Sequence, residues 1–147
     1  MTTSTETESL TVSRLIKAPR ARVFTAWTTP NELLKWMGGE HCNFNSAKLD
    51  LRVGGAYEFR VGQEGEETVL HGKYREITPV SRLVFTWFPG VCSGATEDIE
   101  TLVTVDLAEQ KGGTLVTITH TGFTSAELRD KHNQGWTGSL DKLEKLA

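Results

Sequence analysis

The chain has 147 residues, 37% hydrophobic and 24% charged, and its 16 basic and 19 acidic side chains leave a formal charge of −3. That length suits one domain whose core needs no covalent staples, and the near-balance of charge leaves no footprint for nucleic acid and no basic patch for a membrane surface. No apolar run approaches the roughly 20 residues that span a bilayer, and the polar start MTTSTETESL is neither a signal peptide nor a basic targeting sequence, so a cytoplasmic protein is expected.

Residues 1–9 read as a disordered lead, and residues 10–147 as the domain. Leu10–Ile16 alternates as a strand, placing Val12, Arg14 and Ile16 on one face. Pro19 suits the first turn of a short helix in which Val23, Phe24 and Trp27 recur at helical spacing. Thr29-Pro30 breaks it, and a second short helix carries Leu33, Leu34 and Trp36 until Gly38-Gly39 ends it.

From there to Thr121 the period falls to two, with turn residues about every ten positions, as in an antiparallel meander. Six strands are expected. Ala47–Val53 turns Leu49, Leu51 and Val53 inward, and the next strand turns Tyr57, Phe59 and Val61 inward. Thr68–Ile77 follows with Leu70, Gly72 and Tyr74 inside, and then Leu83, Phe85 and Trp87 share a face. Glu97–Leu107 aligns Thr101, Val103, Val105 and Leu107, and Thr114–His120 aligns Val116, Ile118 and His120, so a histidine ends an apolar row.

Thr124-Ser-Ala-Glu127 matches a capping box, and the helix after it carries Leu128, His132, Trp136, Leu140 and Leu143 as one stripe. Gly135 and Gly138 interrupt this helix, although each interior glycine costs roughly 0.5–1 kcal/mol relative to alanine. A close approach of the helix to its neighbours is the expected reason, so that leucine at position 135 would destabilise the fold. Cys42 and Cys92 fall in turn-like segments and are expected as free thiols. His41 beside Cys42 has no CxxC or HxxxH partner, so neither a metal nor a cofactor is expected.

One strand, two short helices, a six-stranded meander and a long helix make an α+β order in which the last helix must cover the inner face of the sheet. A twisted seven-stranded sheet curls away from a single helix, which leaves a mostly apolar cavity closed at one end by the short helices. The residues whose faces point there are Arg14, Trp36, Phe59, Tyr74, Phe85, Trp87, Val103, Ile118, His120, His132, Trp136 and Leu140. Arg14 has a second reading as half of an ion pair with Glu76, Glu97 or Glu100, since a charge there requires a partner. His120 and His132 read either as ligand contacts or as satisfied core histidines. No Ser-His-Asp order, nucleophile elbow, phosphate-cradling loop or catalytic carboxylate pair is recognisable.

The ordered segments APRARVFTAWTTPNELLKW, GGAYEF, GKYREITPVSRLVFTW, ETLVTV, GGTLVTITHTGF and HNQGWTGSLDKL resemble the activator of heat-shock protein 90 ATPase homologue family, within the START-like, Bet v 1-like (SRPBCC) superfamily. The resemblance covers about residues 10–147. Relatives usually read Trp-Trp or Trp-Phe before Gly-Pro, where this chain has Trp36-Met37-Gly38-Gly39. It implies a helix-grip fold, a curved antiparallel sheet of about seven strands with two short helices and a long C-terminal helix enclosing a hydrophobic cavity; it implies no one activity.

Three functions follow as expectations. The first is non-enzymatic binding of a small hydrophobic or aromatic molecule. The second, implied by superfamily members that are aromatic polyketide cyclases, is an enzyme using His120 and His132. The third, implied by the family name, is a module stimulating a heat-shock protein 90 ATPase. Eukaryotic relatives carry a separate N-terminal domain that also contacts the chaperone, and this chain shows no such domain. A homodimer paired through a sheet edge or apolar patch is compatible with the pattern.

Overall fold

The computed structural model describes residues 8–37, 44–62, 68–88 and 100–146. Strand β1 (Glu8–Ile16) leads into helices α1 (Arg20–Thr28) and α2 (Pro30–Trp36). Strands β2 (Phe44–Leu49), β3 (Ala56–Val61), β4 (Thr68–Thr78), β5 (Arg82–Trp87), β6 (Thr101–Gln110) and β7 (Gly113–Phe123) follow, and helix α3 (Ala126–Leu146) comes last. The strands form one antiparallel sheet in the order β1-β7-β6-β5-β4-β3-β2, so the meander closes back on the first strand. Helix α3 lies mainly along β1 and against α2, which makes this a helix-grip fold of the Bet v 1-like kind.

The alternation seen in the sequence places the inner rows. Leu70, Gly72 and Tyr74 of β4, Val103, Val105 and Leu107 of β6, and Val116, Ile118 and His120 of β7 are all buried. Pro19 and Pro30 stand where their missing N–H groups are not needed, at the N-cap of α1 and the first turn of α2. The stripe of α3 faces inward, with Leu128, Trp136, Leu140 and Leu143 buried.

Several boundaries differ from expectation. The first strand begins at Glu8, ahead of Leu10. Strand β2 begins at Phe44 and stops at Leu49, so Leu51 and Val53 are exposed rather than inward. The reason is where the backbone bonds go: the Gly55 N–H donates to the Arg52 carbonyl and the Gly54 N–H to the Tyr74 carbonyl, so this segment turns instead of extending the ladder. The cap of α3 is Ser125, whose hydroxyl accepts the Leu128 N–H at 3.1 Å, one residue beyond the expected Thr124. Glu97, Cys42, Cys92, His41 and Gly38-Gly39 lie outside the described residues.

The expected close approach at Gly135 is absent: a Cβ built there meets nothing within 4 Å. The glycine therefore only weakens the helix. Gly135→Ala is expected to raise stability by about 0.5–1 kcal/mol, seen as a higher urea midpoint at unchanged slope. A lower midpoint would mean that the absence of a side chain there is needed after all.

Candidate functional site

A cavity of about 20 Å³ lies between the short helices and the inner faces of β3, β4 and β5. Trp27 of α1, Leu33 of α2 and Met37 close one side. Tyr57 and Phe59 of β3, Tyr74 of β4, and Leu83, Phe85 and Trp87 of β5 form the other. Tyr57 is the hub of the aromatic wall, with ring centroids 5.2 Å from Phe59, 5.9 Å from Tyr74 and 5.7 Å from Phe85. Its hydroxyl donates to the Thr86 carbonyl at 2.6 Å. Burial pushes both the Tyr57 and the Tyr74 phenol well above the usual tyrosine range, and Tyr74 adds a smaller upward push on Tyr57, so both stay protonated and neutral. The indole N–H groups of Trp27 and Trp87 are buried without a hydrogen-bond partner among the described residues.

Behind Trp87 the core holds a polar relay. The Trp136 indole donates to His120 Nδ1 at 3.1 Å, and His120 Nε2 is 2.7 Å from the Thr101 hydroxyl, which itself donates to the Trp87 carbonyl at 2.8 Å. An indole nitrogen only donates, so His120 Nδ1 is the acceptor and the proton sits on Nε2, which donates to Thr101. Every position is then satisfied, and the chain of bonds ties α3 to β7, β6 and β5. Burial, with a smaller contribution from nearby His132, pushes the His120 pKa down to about 2. His132 is also held low by burial, partly opposed by its Nδ1–H bond to the Leu128 carbonyl at 3.1 Å.

These depressed values set a pH dependence. Below the ordinary histidine pKa of about 6.5 the unfolded chain binds protons that the folded chain refuses, so stability falls as pH falls. Between about pH 6.5 and 5 the fold is expected to lose roughly 1 kcal/mol per pH unit for His120, with His132 adding to it. Urea midpoints measured across that window check this, and His120→Asn should flatten the slope. An unflattened slope would place the titration elsewhere.

Residues 17–147 match the model of a family described as Activator of Hsp90 ATPase homolog 1-like protein. The chain belongs to that family. Among solved structures, an AHSA1-like protein from Rhizobium etli is 32% identical, with 95% of this chain and 81% of the other covered at a TM-score of 0.69. A protein from Chromobacterium violaceum is 26% identical, with 95% and 97% covered at a TM-score of 0.77. CalU16 from Micromonospora echinospora is 28% identical, with 94% and 74% covered at a TM-score of 0.69. No curated protein matches the chain.

In this Activator of Hsp90 ATPase homolog 1-like chain the residues singled out from sequence separate into three groups. Phe59, Tyr74, Phe85 and Trp87 line the cavity. Trp36, Val103, Ile118, His120, Trp136 and Leu140 are buried but belong to the surrounding core, and His132 is half-buried beside His120 at a centroid distance of 5.4 Å. Arg14 stands apart, paired with Asp141 at 2.7 Å and Glu144 at 3.0 Å on α3. The hydrogen bond to Asp141 is the main cause that raises its pKa, against some desolvation. Neither Glu76 nor Glu100 is its partner: Glu100 pairs with Arg75 at 3.4 Å and Glu76 accepts from Thr78 at 3.2 Å. The helix runs along β1, so its acids are nearer than those of the distant strands.

Trp27, Leu33, Met37, Tyr57 and Leu83 complete the cavity and are not among the residues expected there. Tyr57 and Leu83 share inner rows with Phe59 and Phe85, and that alternation is sufficient to include them. The cavity also lies under α1 and α2 rather than against α3. Among the described residues α3 contributes none of the lining; its Trp136 ring sits behind it, 6.1 Å from Trp27 and 5.5 Å from Trp87.

Proposed function

We propose that this chain binds a small, largely apolar molecule between its short helices and the aromatic wall of β3, β4 and β5, without turning it over. The observation that carries the reading is the wall itself: nine apolar or aromatic side chains around one cavity, none of them carrying a charge. The polar groups nearby are poorly suited to acid–base work. Both phenols stay protonated, and both nitrogens of His120 are committed to hydrogen bonds within the core. The volume of about 20 Å³ is that of roughly one water, so a larger guest enters by displacing side chains. Met37, an unbranched thioether in the lining, is the side chain best suited to move.

A guest that binds only the folded state raises its melting temperature as its concentration rises above its Kd. The reading is tested by thermal shift across panels of lipids and aromatic compounds, together with mass spectrometry of whatever accompanies the protein from its source. No shift and no co-purifying molecule would overturn it.

The family description supports a second reading, stimulation of a heat-shock protein 90 ATPase. Its test is the ATPase rate of the cognate chaperone with and without this chain. An unchanged rate and no association removes it.

A further inference from the structure

Native sheets protect their outer strands with charge, proline, bulges or short length, so an unprotected edge asks for an explanation. The two edges of this sheet, β1 and β2, are unlike in that respect. Strand β2 is six residues long, shifts register between Phe44 and Ser46, and exposes Lys48. Strand β1 is nine residues long, and its pairing is regular from Ser9 onward. It contains no proline, and the side chains it turns to solvent are Ser9, Thr11, Ser13 and Leu15. Among the described residues it pairs with β7 alone. The same face stays uncharged on that strand, where Thr121, Thr119 and Thr117 stand opposite Ser9, Thr11 and Ser13, the last pair with hydroxyls 3.2 Å apart.

We propose that β1 is the interface of a homodimer, pairing antiparallel with β1 of a second copy about a two-fold axis through Thr11. A two-fold interface must match itself, and this strand does so in one register. With Thr11 on the axis, Ser9 stands opposite the partner's Ser13, Leu10 opposite the partner's Val12, and Glu8 opposite the partner's Arg14. Hydroxyls then meet on the outer face, apolar side chains meet on the inner face, and opposite charges meet at both ends, the kinds of cross-strand pair that stabilise a sheet. Moving the axis to Val12 sets Glu8 opposite the partner's Ile16 and Leu10 opposite the partner's Arg14, so that charge faces apolar side chains. Within one copy Glu8 pairs with Arg129, and Arg14 with Asp141 and Glu144, yet the Glu8 side chain is 44% exposed and that of Arg14 25%. Pairing of the two edges joins these contacts into one alternating run of charge, from Arg129 through Glu8 to the partner's Arg14. Helix α3 runs along β1 in the same direction, with Arg129 beside Glu8 and Asp141 beside Arg14, so the helices of the two copies lie antiparallel with their dipoles opposed. A second copy is the occupant this edge fits, because it alone necessarily carries the matching order of charge, hydroxyl and apolar residues.

Sedimentation equilibrium on the full chain, from about 10 µM to about 1 mM, brackets the affinity of an interface built on one strand pair. A monomer–dimer equilibrium is expected, with the β1 amides exchanging more slowly as the dimer fills. Thr11→Lys sets two like charges on the axis and is expected to weaken association at least about 10-fold, while leaving the urea midpoint of the monomer unchanged. Thr11→Glu alone should do the same, and an equimolar mixture of the two variants should associate again as a heterodimer. If the lysine variant fails to fold, the concentration dependence of β1 amide exchange in the unaltered chain decides the question. A monomer throughout the range would overturn the proposal. So would a dimer that ignores both substitutions or protects β2 instead, since another surface would then hold the copies together. An extended peptide that protects β1 in a chain that stays monomeric would overturn it in favour of a different occupant.

Discussion

Trp136→Ala is expected to cost about 4–6 kcal/mol, from the roughly 3–5 of a large-to-small aromatic truncation plus the cost of an orphaned buried acceptor. The ring is 3% exposed and sits 6.1 Å from Trp27, 5.5 Å from Trp87 and 6.2 Å from His120, so its removal opens a void where three neighbours meet. It also leaves His120 Nδ1 without its donor. A domain of this size has only about 5–15 kcal/mol in total, so the variant is expected to be partly unfolded near body temperature. Equilibrium urea unfolding measures the loss. Trp136→Phe separates the two causes, since it keeps most of the ring and deletes the donor; about 1–3 kcal/mol is expected from the bond alone. A phenylalanine variant as stable as the parent would show that the relay contributes nothing to stability.

The second large effect is at Gly72. A Cβ there would stand 2.4 Å from the Thr86 carbonyl oxygen, 2.6 Å from the Tyr57 ring and 2.7 Å from the Tyr57 hydroxyl. Tyr57 faces Gly72 across the β3–β4 ladder and lays its ring over that glycine to reach Thr86 on the next strand. The glycine is thus the gap through which a side chain of β3 touches the backbone of β5. Gly72→Ala is expected to cost about 3 kcal/mol or more, at the upper end of overpacking penalties because one obstacle is backbone. Placing the same change on a Tyr57→Ala background should relieve part of the penalty and leave the part due to Thr86. Full additivity of the two changes in unfolding free energy would mean that the tyrosine is not the obstacle.

Much of the fold is legible in the sequence because alternation and helical spacing act locally. Period alone places the inner rows of β4, β6 and β7 and the stripe of α3. Alternation does not reveal where a backbone N–H finds its acceptor, and so Leu51 and Val53 continue the pattern of a strand that has already turned. The relay around His120 depends on register between strands distant in sequence: His120 opposes Val103, and Thr101 opposes Trp87. Nothing within one strand carries that information. For Arg14 the strand pattern gives the face but not the partners, because the path of α3 along β1 is a tertiary fact. The glycine at position 135 suggests a close neighbour, yet a missing side chain implies one only where something stands along the missing bond.

The four indoles form a single line of neighbours, with Trp36 4.6 Å from Trp27, Trp27 6.1 Å from Trp136 and Trp136 5.5 Å from Trp87. They are all the tryptophans in the chain. Intrinsic fluorescence is consequently a signal from one spot, the cavity and its rear wall, and is blind to the outer half of the sheet. An unfolding curve followed by emission alone would report when this spot loosens. Circular dichroism, which sees the sheet, has to give the same midpoint before the transition is treated as all-or-none. A gap between the two midpoints would identify a species with the sheet intact and the aromatic array already open to a guest.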